Sequence, residues 1–280
     1  MDNRIELLFE DGKRKALTFS YDDNTVYDRK LVDLMNRYGM KGTFNLNSGL
    51  FSDSHMAEID GVEIDFSRID EQEVKDLYAG HEVASHTVTH PSLTDIPVEE
   101  GKKEVLKDRE KLEELVGYTV SGFAYPYGTF NKEVEALLLE CGITYARTVV
   151  DTEDFVLPQD FLEWHPTCHH SHKKLMEFAE KFCTDESEEA KLFYLWGHSY
   201  EFKRYDNWQV IEEFMRYMEQ HKEKIWIATN KEIRDYVEAY RQLVFSEDTS
   251  ILHNPTDRVI WYKKDGQVCQ ILPDEKQVLK

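Results

Sequence analysis

Short runs dense in β-branched and aromatic residues recur along this chain, and between them apolar residues fall at helical spacing. The runs 16–21 (ALTFSY), 42–46 (GTFNL), 82–86 (EVASH), 121–125 (SGFAY), 143–150 (ITYARTVV), 192–197 (LFYLWG) and 225–228 (IWIA) read as strands. Tyr27, Leu31, Leu34, Met35 and Tyr38 share one helical face, which Gly39 ends. Val134, Leu137, Leu138 and Cys141 repeat the period after a candidate cap at Asn131, and Gly142 closes that helix. Trp208, Ile211, Met215 and Met218 form a further stripe. Thr229 with Glu232 makes a capping box ahead of Ile233, Tyr236, Val237 and Tyr240. Stripes of this kind are core faces rather than cofactor boxes.

Seven strands alternating with helices predict an α/β fold, a parallel β/α barrel. Two additions flank it. Asp11-Gly12 predicts an N-terminal hairpin running into the first strand, and Asp265-Gly266, between VIWYKK and QVCQIL, predicts a C-terminal hairpin. Residues 51–70 read as a loop insertion beside the second strand. With no Pro/Gly/Ser-rich linker in sight, residues 1–245 are assigned to the barrel with its N-terminal hairpin. Residues 246–280 are assigned to a short C-terminal β extension packed on it.

Charge narrows the partners. The 280 residues include 34 basic and 55 acidic ones, a formal charge of −21, which opposes non-specific binding of nucleic acid or an anionic membrane. Cys141, Cys168, Cys183 and Cys269 form no CxxC pair and read as reduced thiols. The first residues contain no apolar signal core, and no run of 18 apolar residues occurs, so the expectation is a cytoplasmic protein, or a secreted one whose signal sequence has been removed. The oligomeric state leaves no mark in the sequence.

In a β/α barrel, reactive side chains gather at the carboxyl ends of the strands. Asp22 and Asp23 follow the first strand, His86 ends the third, His90 lies four residues on, and His198 follows the sixth. Adjacent aspartates are common in turns, and an HxxxH spacing arises by chance. A second such pair, His165 and His169, is interrupted by Pro166 and reads as loop. At strand ends the combination means more. One carboxylate and two imidazoles leave an open position on a divalent metal, and the spare carboxylate is placed to act as a base. That is the equipment of metal-assisted hydrolysis.

The motifs also resemble a known family. TFSYDD, SHTVTH, FAYPYG and LWGHS are similar to the first, second, third and fifth motifs of the polysaccharide deacetylases, the NodB-homology domain of carbohydrate esterase family 4. The resemblance covers residues 16–230 and implies a distorted (β/α)7 barrel of NodB type. It implies Asp23, His86 and His90 as metal ligands, Asp22 as the general base toward the attacking water, and His198 as the general acid. The backbone N–H of Tyr127 would stabilise the oxyanion. Zinc is the default for such a donor set, with cobalt, nickel or manganese also fitting.

Two motifs depart from the pattern. The arginine that opens the third motif, and pairs with the base, is replaced here by Ala124; Arg147 on the next strand is the candidate substitute, reaching the carboxylate in bidentate fashion. The fourth motif, which supports the acid histidine, is either Asp151, Asp154 and Phe155 or Asp160, Glu163 and Trp164; the later segment is favoured, with Asp160 as support and Trp164 lining the pocket. His169 and His170 contact substrate or cap a loop.

The function expected is a metal-dependent hydrolase that removes N- or O-acetyl groups from a carbohydrate, an acetylated sugar or oligosaccharide. An amidohydrolase acting on another, possibly cyclic, amide is the related alternative. A catalytically silent glycan-binding protein is the alternative of another class. Ala124 favours it, whereas a pure binder needs neither Asp22 nor His198.

Overall fold

The computed structural model describes residues 5–279; the outermost ends of the two assigned regions, 1–4 and 280, lie outside the described residues. One curled parallel sheet organises the chain. Its strands are β1 (Lys15–Asp22), β2 (Thr43–Leu46), β3 (Glu82–Ser85), β4 (Gly122–Ala124), β5 (Tyr145–Arg147), β6 (Cys168–His169), β7 (Lys191–His198) and β8 (Ile225–Ile227). All pair parallel in the order β5-β4-β3-β2-β1-β7-β6. β7 lines one edge of β1 along its whole length, and the other edge is shared by β8 over Lys15–Leu17 and β2 over Ser20–Asp22. A parallel bridge from Arg147 to Trp164 brings the sheet round toward β6. This is the distorted (β/α)7 arrangement expected, with β6 added. Two residues long, β6 is too short to show a period in sequence.

The longer helices are α1 (Asp28–Arg37), α2 (Val98–Val116), α3 (Lys132–Glu140), α4 (Leu175–Thr184), α5 (Trp208–Glu219) and α6 (Asn230–Arg241). Their ends follow the sequence signals. Asn131 accepts from Val134 N at 2.9 Å, and Thr229 and Glu232 close a reciprocal capping box. Gly39, at φ +65°, supplies the left-handed turn after α1. Leu31 and Met35 of α1, Phe19 of β1, Phe44 of β2 and Phe214 and Met215 of α5 share one fully buried core. Burial stabilises by about 1.5–3 kcal/mol per large apolar side chain.

The additions differ in detail. Asp11 and Gly12 do turn the chain, with φ of 59° and 72°, but Glu6–Leu8 pairs with Trp261–Lys263 rather than with β1. The N-terminal strand therefore joins the C-terminal hairpin in a three-stranded sheet, which packs its Ile260, Tyr262 and Ile271 with Tyr236 of α6. Val244–Phe245, just before the assigned boundary at 245, pairs with Ile251–His253 just after it. The insertion 51–70 contains a hairpin, Met56–Ile59 with Val62–Asp65, turning at Asp60-Gly61. That dipeptide is the same hairpin signal as the other two, and it was there to be read.

The inside of the barrel is polar. Asn230, the first residue of α6, accepts from Thr18 Oγ1 (2.8 Å) and donates to Tyr194 Oη (2.6 Å), while its backbone N donates to Thr43 Oγ1 (3.0 Å). Below it, buried Glu82 accepts from Thr43 Oγ1 and Lys231 N (2.8 Å each) and from Tyr145 Oη (2.7 Å). Burial outweighs these hydrogen bonds and pushes the Glu82 carboxyl up to about 7.

Glu82 therefore keeps its proton in the fold over a range where the unfolded chain has lost it, from about 4.5 to about 7. Its contribution to stability is full below the lower value and is lost as pH rises through the upper one. In urea denaturation, Glu82→Gln should flatten the decline of stability across that window. Parallel pH profiles of the two proteins would discount the assignment.

Candidate active site

Strand register builds the floor of the site. Asp22, the last residue of β1, lies opposite His198 on β7 and Asn45 on β2. It is buried, so its charge needs partners. Asn45 Nδ2 donates to Oδ1 at 2.8 Å, and Arg147 Nη2 donates to Oδ2. Arg147 stands opposite Ala124 in the β4–β5 register and spans the barrel from there. Its grip on Asp22 is through one nitrogen, not the bidentate fork expected. Nε is turned onto Ser20 Oγ (3.2 Å) and Nη1 onto Thr148 O (3.0 Å), and the guanidinium lies 4.5 Å from the Trp196 ring. Burial alone would push the Asp22 carboxyl up, but Arg147, with His86 and His198, holds it at about 2.

Beside this pair, three donors converge. Asp23 Oδ1, His86 Nε2 and His90 Nε2 lie within 4.8 Å of one another, with 3.1 Å between the two imidazole nitrogens and 3.7 Å from His90 Nε2 to Asp23 Oδ1. His86 donates its Nδ1 proton to Ala124 O at 2.8 Å, which leaves the Nε2 lone pair facing the other donors. Burial pushes His86 down to about 4 and lowers His90 as well, the direction that metal ligands would need. Tetrahedral zinc with bonds of about 2.0–2.1 Å places neighbouring ligand atoms roughly 3.3 Å apart, and this donor set fits it. The loops that carry these donors are strained. Asp23, Thr87 and His90 have φ of 79°, 69° and 63°, in the left-handed region where a β-branched threonine is an outlier. His86 and His90 are thus four residues apart along a turn, not along a helix.

Several supports were not anticipated. Asp108, buried on α2, accepts from Ser48 N (2.7 Å), Ser85 Oγ (2.6 Å) and His86 N (3.2 Å), fixing the end of β3. It lies in the stripe of Val105 and Leu112, where a lone carboxylate among core positions is a readable signal. Asn47 Nδ2 donates to the carbonyls of His86 and Thr87. Arg68, from the insertion, donates to Asp23 O, and nothing in its sequence context foretells this.

The remaining predicted residues divide. Tyr127 is at the rim, exposed, with φ +58° and its ring edge-on to His90 at 4.6 Å. Asp160 and Trp164 are elsewhere, and the assignment of the later segment is corrected. Asp160 caps a 3-10 turn through Leu162 N (2.8 Å), and Trp164 is core among Tyr145, Phe161 and Tyr194. Asp151, of the earlier segment, reaches the site, accepting from Trp196 Nε1 (2.8 Å) and His169 N (3.0 Å). The carboxylate beside His198 is neither; it is Glu201, with Oε2 3.4 Å from His198 Nδ1. Burial disfavours a charged His198, but Glu201, Asp23 and Asp22 outweigh it and lift the imidazole to about 9. His198 Nε2 stands 3.9 Å from Asp22 Oδ2 and 4.0 Å from Asp23 Oδ2. An ionised carboxylate, a charged imidazole and a set of cation donors thus share one rim.

A family model described as polysaccharide deacetylase matches residues 4–146. The peptidoglycan-N-acetylglucosamine deacetylase PgdA of Listeria monocytogenes is 28% identical over 145 residues, 51% of this chain and 27% of that protein. A peptidoglycan-N-acetylglucosamine deacetylase of Bacillus cereus is 26% identical over 140 residues, 50% of this chain and 46% of its own. The match thus spans a quarter to a half of these relatives' length. In fold, a Mycobacterium smegmatis protein assigned as a polysaccharide deacetylase superposes with a TM-score of 0.61 at 17% identity, covering 86% of this chain and 96% of that one.

Two measurements follow from the geometry. Calorimetric titration with zinc should give one tight site, weakened about a hundredfold or more in His90→Ala; unchanged affinity would remove His90 from the ligand set. Arg147→Met leaves a buried carboxylate without its cation and should lower stability by about 3–5 kcal/mol in urea at neutral pH. A loss under 1 kcal/mol would mean that Asp22 is held by other groups.

Proposed function

Because this chain belongs to the polysaccharide deacetylase family, we propose that it is a divalent-metal-dependent hydrolase removing N- or O-acetyl groups from an acetylated sugar or oligosaccharide. One observation carries the reading: the Asp23, His86 and His90 donors, the Asp22 carboxylate and the His198 imidazole meet at one end of the barrel. A cation held by those donors, zinc by default and cobalt, nickel or manganese otherwise, would acidify a water and polarise the acyl oxygen. Asp22 takes the proton of the attacking water. Held at about 2 by Arg147, it is a weak base on its own and relies on that water being acidic. His198, charged up to about 9, gives a proton to the departing amine or alcohol. The N–H of Tyr127, on the strained turn beside His90, is the candidate second donor to the oxyanion.

On sequence, Ala124 is the residue that favours a silent binder. That argument loses force because Arg147 reaches Asp22 from the neighbouring strand. The peptidoglycan relatives suggest an acetylated amino sugar, and an amide bond, as the first substrates to try.

The test is acetate release from a panel of N- and O-acetylated sugars after chelation and restoration with zinc, cobalt or manganese. Release should require metal and fall by about a hundredfold or more in Asp22→Asn, with metal content unchanged. Release that persists in Asp22→Asn would reassign the base. No release from any acetylated sugar, with metal bound, would set the deacetylase reading aside in favour of other amides.

A further inference from the structure

Next to the metal donors lies a second convergence, around Glu201. Its Oε2 stands 3.0 Å from His169 Nε2, 3.3 Å from His170 Nε2 and 3.4 Å from His198 Nδ1, and it accepts from the His198 backbone N at 3.2 Å. Such a cluster either holds a second cation or is a carboxylate gathering N–H donors. The separations alone fit both, but the tautomer of His169 distinguishes them. Ser171 N donates to His169 Nδ1 at 3.2 Å, so that nitrogen carries the lone pair and neutral His169 keeps its proton on Nε2, toward Glu201. A ligand needs the opposite arrangement, which His86 has: Nδ1–H given to a carbonyl, Nε2 left bare. Glu201 is an acceptor.

The clamp is built in depth. His170 is buried between Tyr21 and Phe202, with ring centroids 5.7 and 4.1 Å away, and burial keeps it neutral. It fits only because residue 197 is glycine; a Cβ there would lie 2.1 Å from His170 Nδ1. His169 is anchored from the other side, its backbone N on Asp151 and its Nδ1 on Ser171 Oγ at 2.7 Å. Glu201 is thus held on two sides by rings that are themselves fixed, and its remaining neighbour is His198.

We propose that Glu201, clamped by His169 and His170, is the positioning residue of His198: its charge, 3.4 Å behind Nδ1, aims Nε2 at the reacting group, where the departing amine or alcohol needs a proton. The proposal rests on the hydrolase reading above. A carboxylate behind an imidazole fixes both its tautomer and its direction. Without it, His198 would still sit at the rim, free to turn and to carry its proton on either nitrogen.

The test compares leaving groups. Alkoxide and amide nitrogen depart poorly unless protonated, whereas 4-nitrophenolate leaves unaided, so the two report on proton delivery separately. Glu201→Gln should lower kcat on an acetylated glucosamine oligomer about a hundredfold, with KM and metal content unchanged, and its loss on 4-nitrophenyl acetate should be at least about tenfold smaller. Glu201→Asp should recover part of the loss. Equal losses on both substrates, or none on either, would overturn the proposal. So would two equivalents of zinc on the wild type and one on Glu201→Gln, which would make the cluster a cation site. If the wild type releases no acetate at all, the proposed function fails on its own account, and long-range ¹H–¹⁵N spectra of the metal-free protein decide this one. At a pH high enough to leave the ring neutral, the one remaining His198 proton should sit on Nδ1 in the wild type and spread over both nitrogens in Glu201→Gln. The same tautomer in both would end the proposal.

Discussion

A carboxylate buried at the end of a central strand must be neutralised from within the barrel, and the contact of Arg147 with Asp22 is where that requirement is met. Unpaired, the charge would be too costly to bury, and Asp22 would hold a proton instead. The pairing shapes its surroundings. The guanidinium needs acceptors for its other nitrogens, which Ser20 and Thr148 provide, and a flat face to rest against, which Trp196 provides. Ser20 and Asn45, both polar and inward, continue that network along β1 and β2. An interior of Val and Leu layers, as in a filled barrel, could not hold it.

The same economy sets the imidazoles apart. His86 and His198 stand on opposite sides of Asp22, each 3.9 Å from Oδ2. One is kept neutral by burial and a carbonyl behind it; the other is kept charged by a carboxylate behind it. The group behind each ring, not the shared aspartate, decides whether it offers a lone pair or a proton.

Much of this was legible in the residues. The strand runs and the Asn131 and Thr229 caps are local patterns, and local patterns survive folding. Asp23 is distant in sequence from His86 and His90, and the three are singled out by their place at strand ends, where the barrel brings their side chains together. Arg147 was reachable through the resemblance, which implies an arginine partner for Asp22 at the position that Ala124 occupies and so sends the search to the next strand. What escaped is of a different kind. The two-residue β6 has no period, and α2 hides its Val105 and Leu112 among lysines and glutamates. Asp160 and Trp164 were misplaced because a motif of acidic and aromatic letters fits a capped turn and a core equally well. Glu201 was overlooked although it follows His198 by three residues; its partners are on another strand, and only the register of β6 on β7 brings them together.

The insertion that follows β2 does more than project from the rim. Its last residues hydrogen-bond with the loop after β1, Val26 N to Ser67 O and Ile69 N to Asn24 O, and Arg68 grips the carbonyl of Asp23. Its hairpin also leans on the turn that carries Glu201, through Asp60 with Arg204 and Phe66 with Tyr200. One segment therefore braces a cation donor on one side and the scaffold of His198 on the other. A lineage that reshaped this one segment would be altering, in the same stroke, how firmly Asp23 and the turn beside His198 are held.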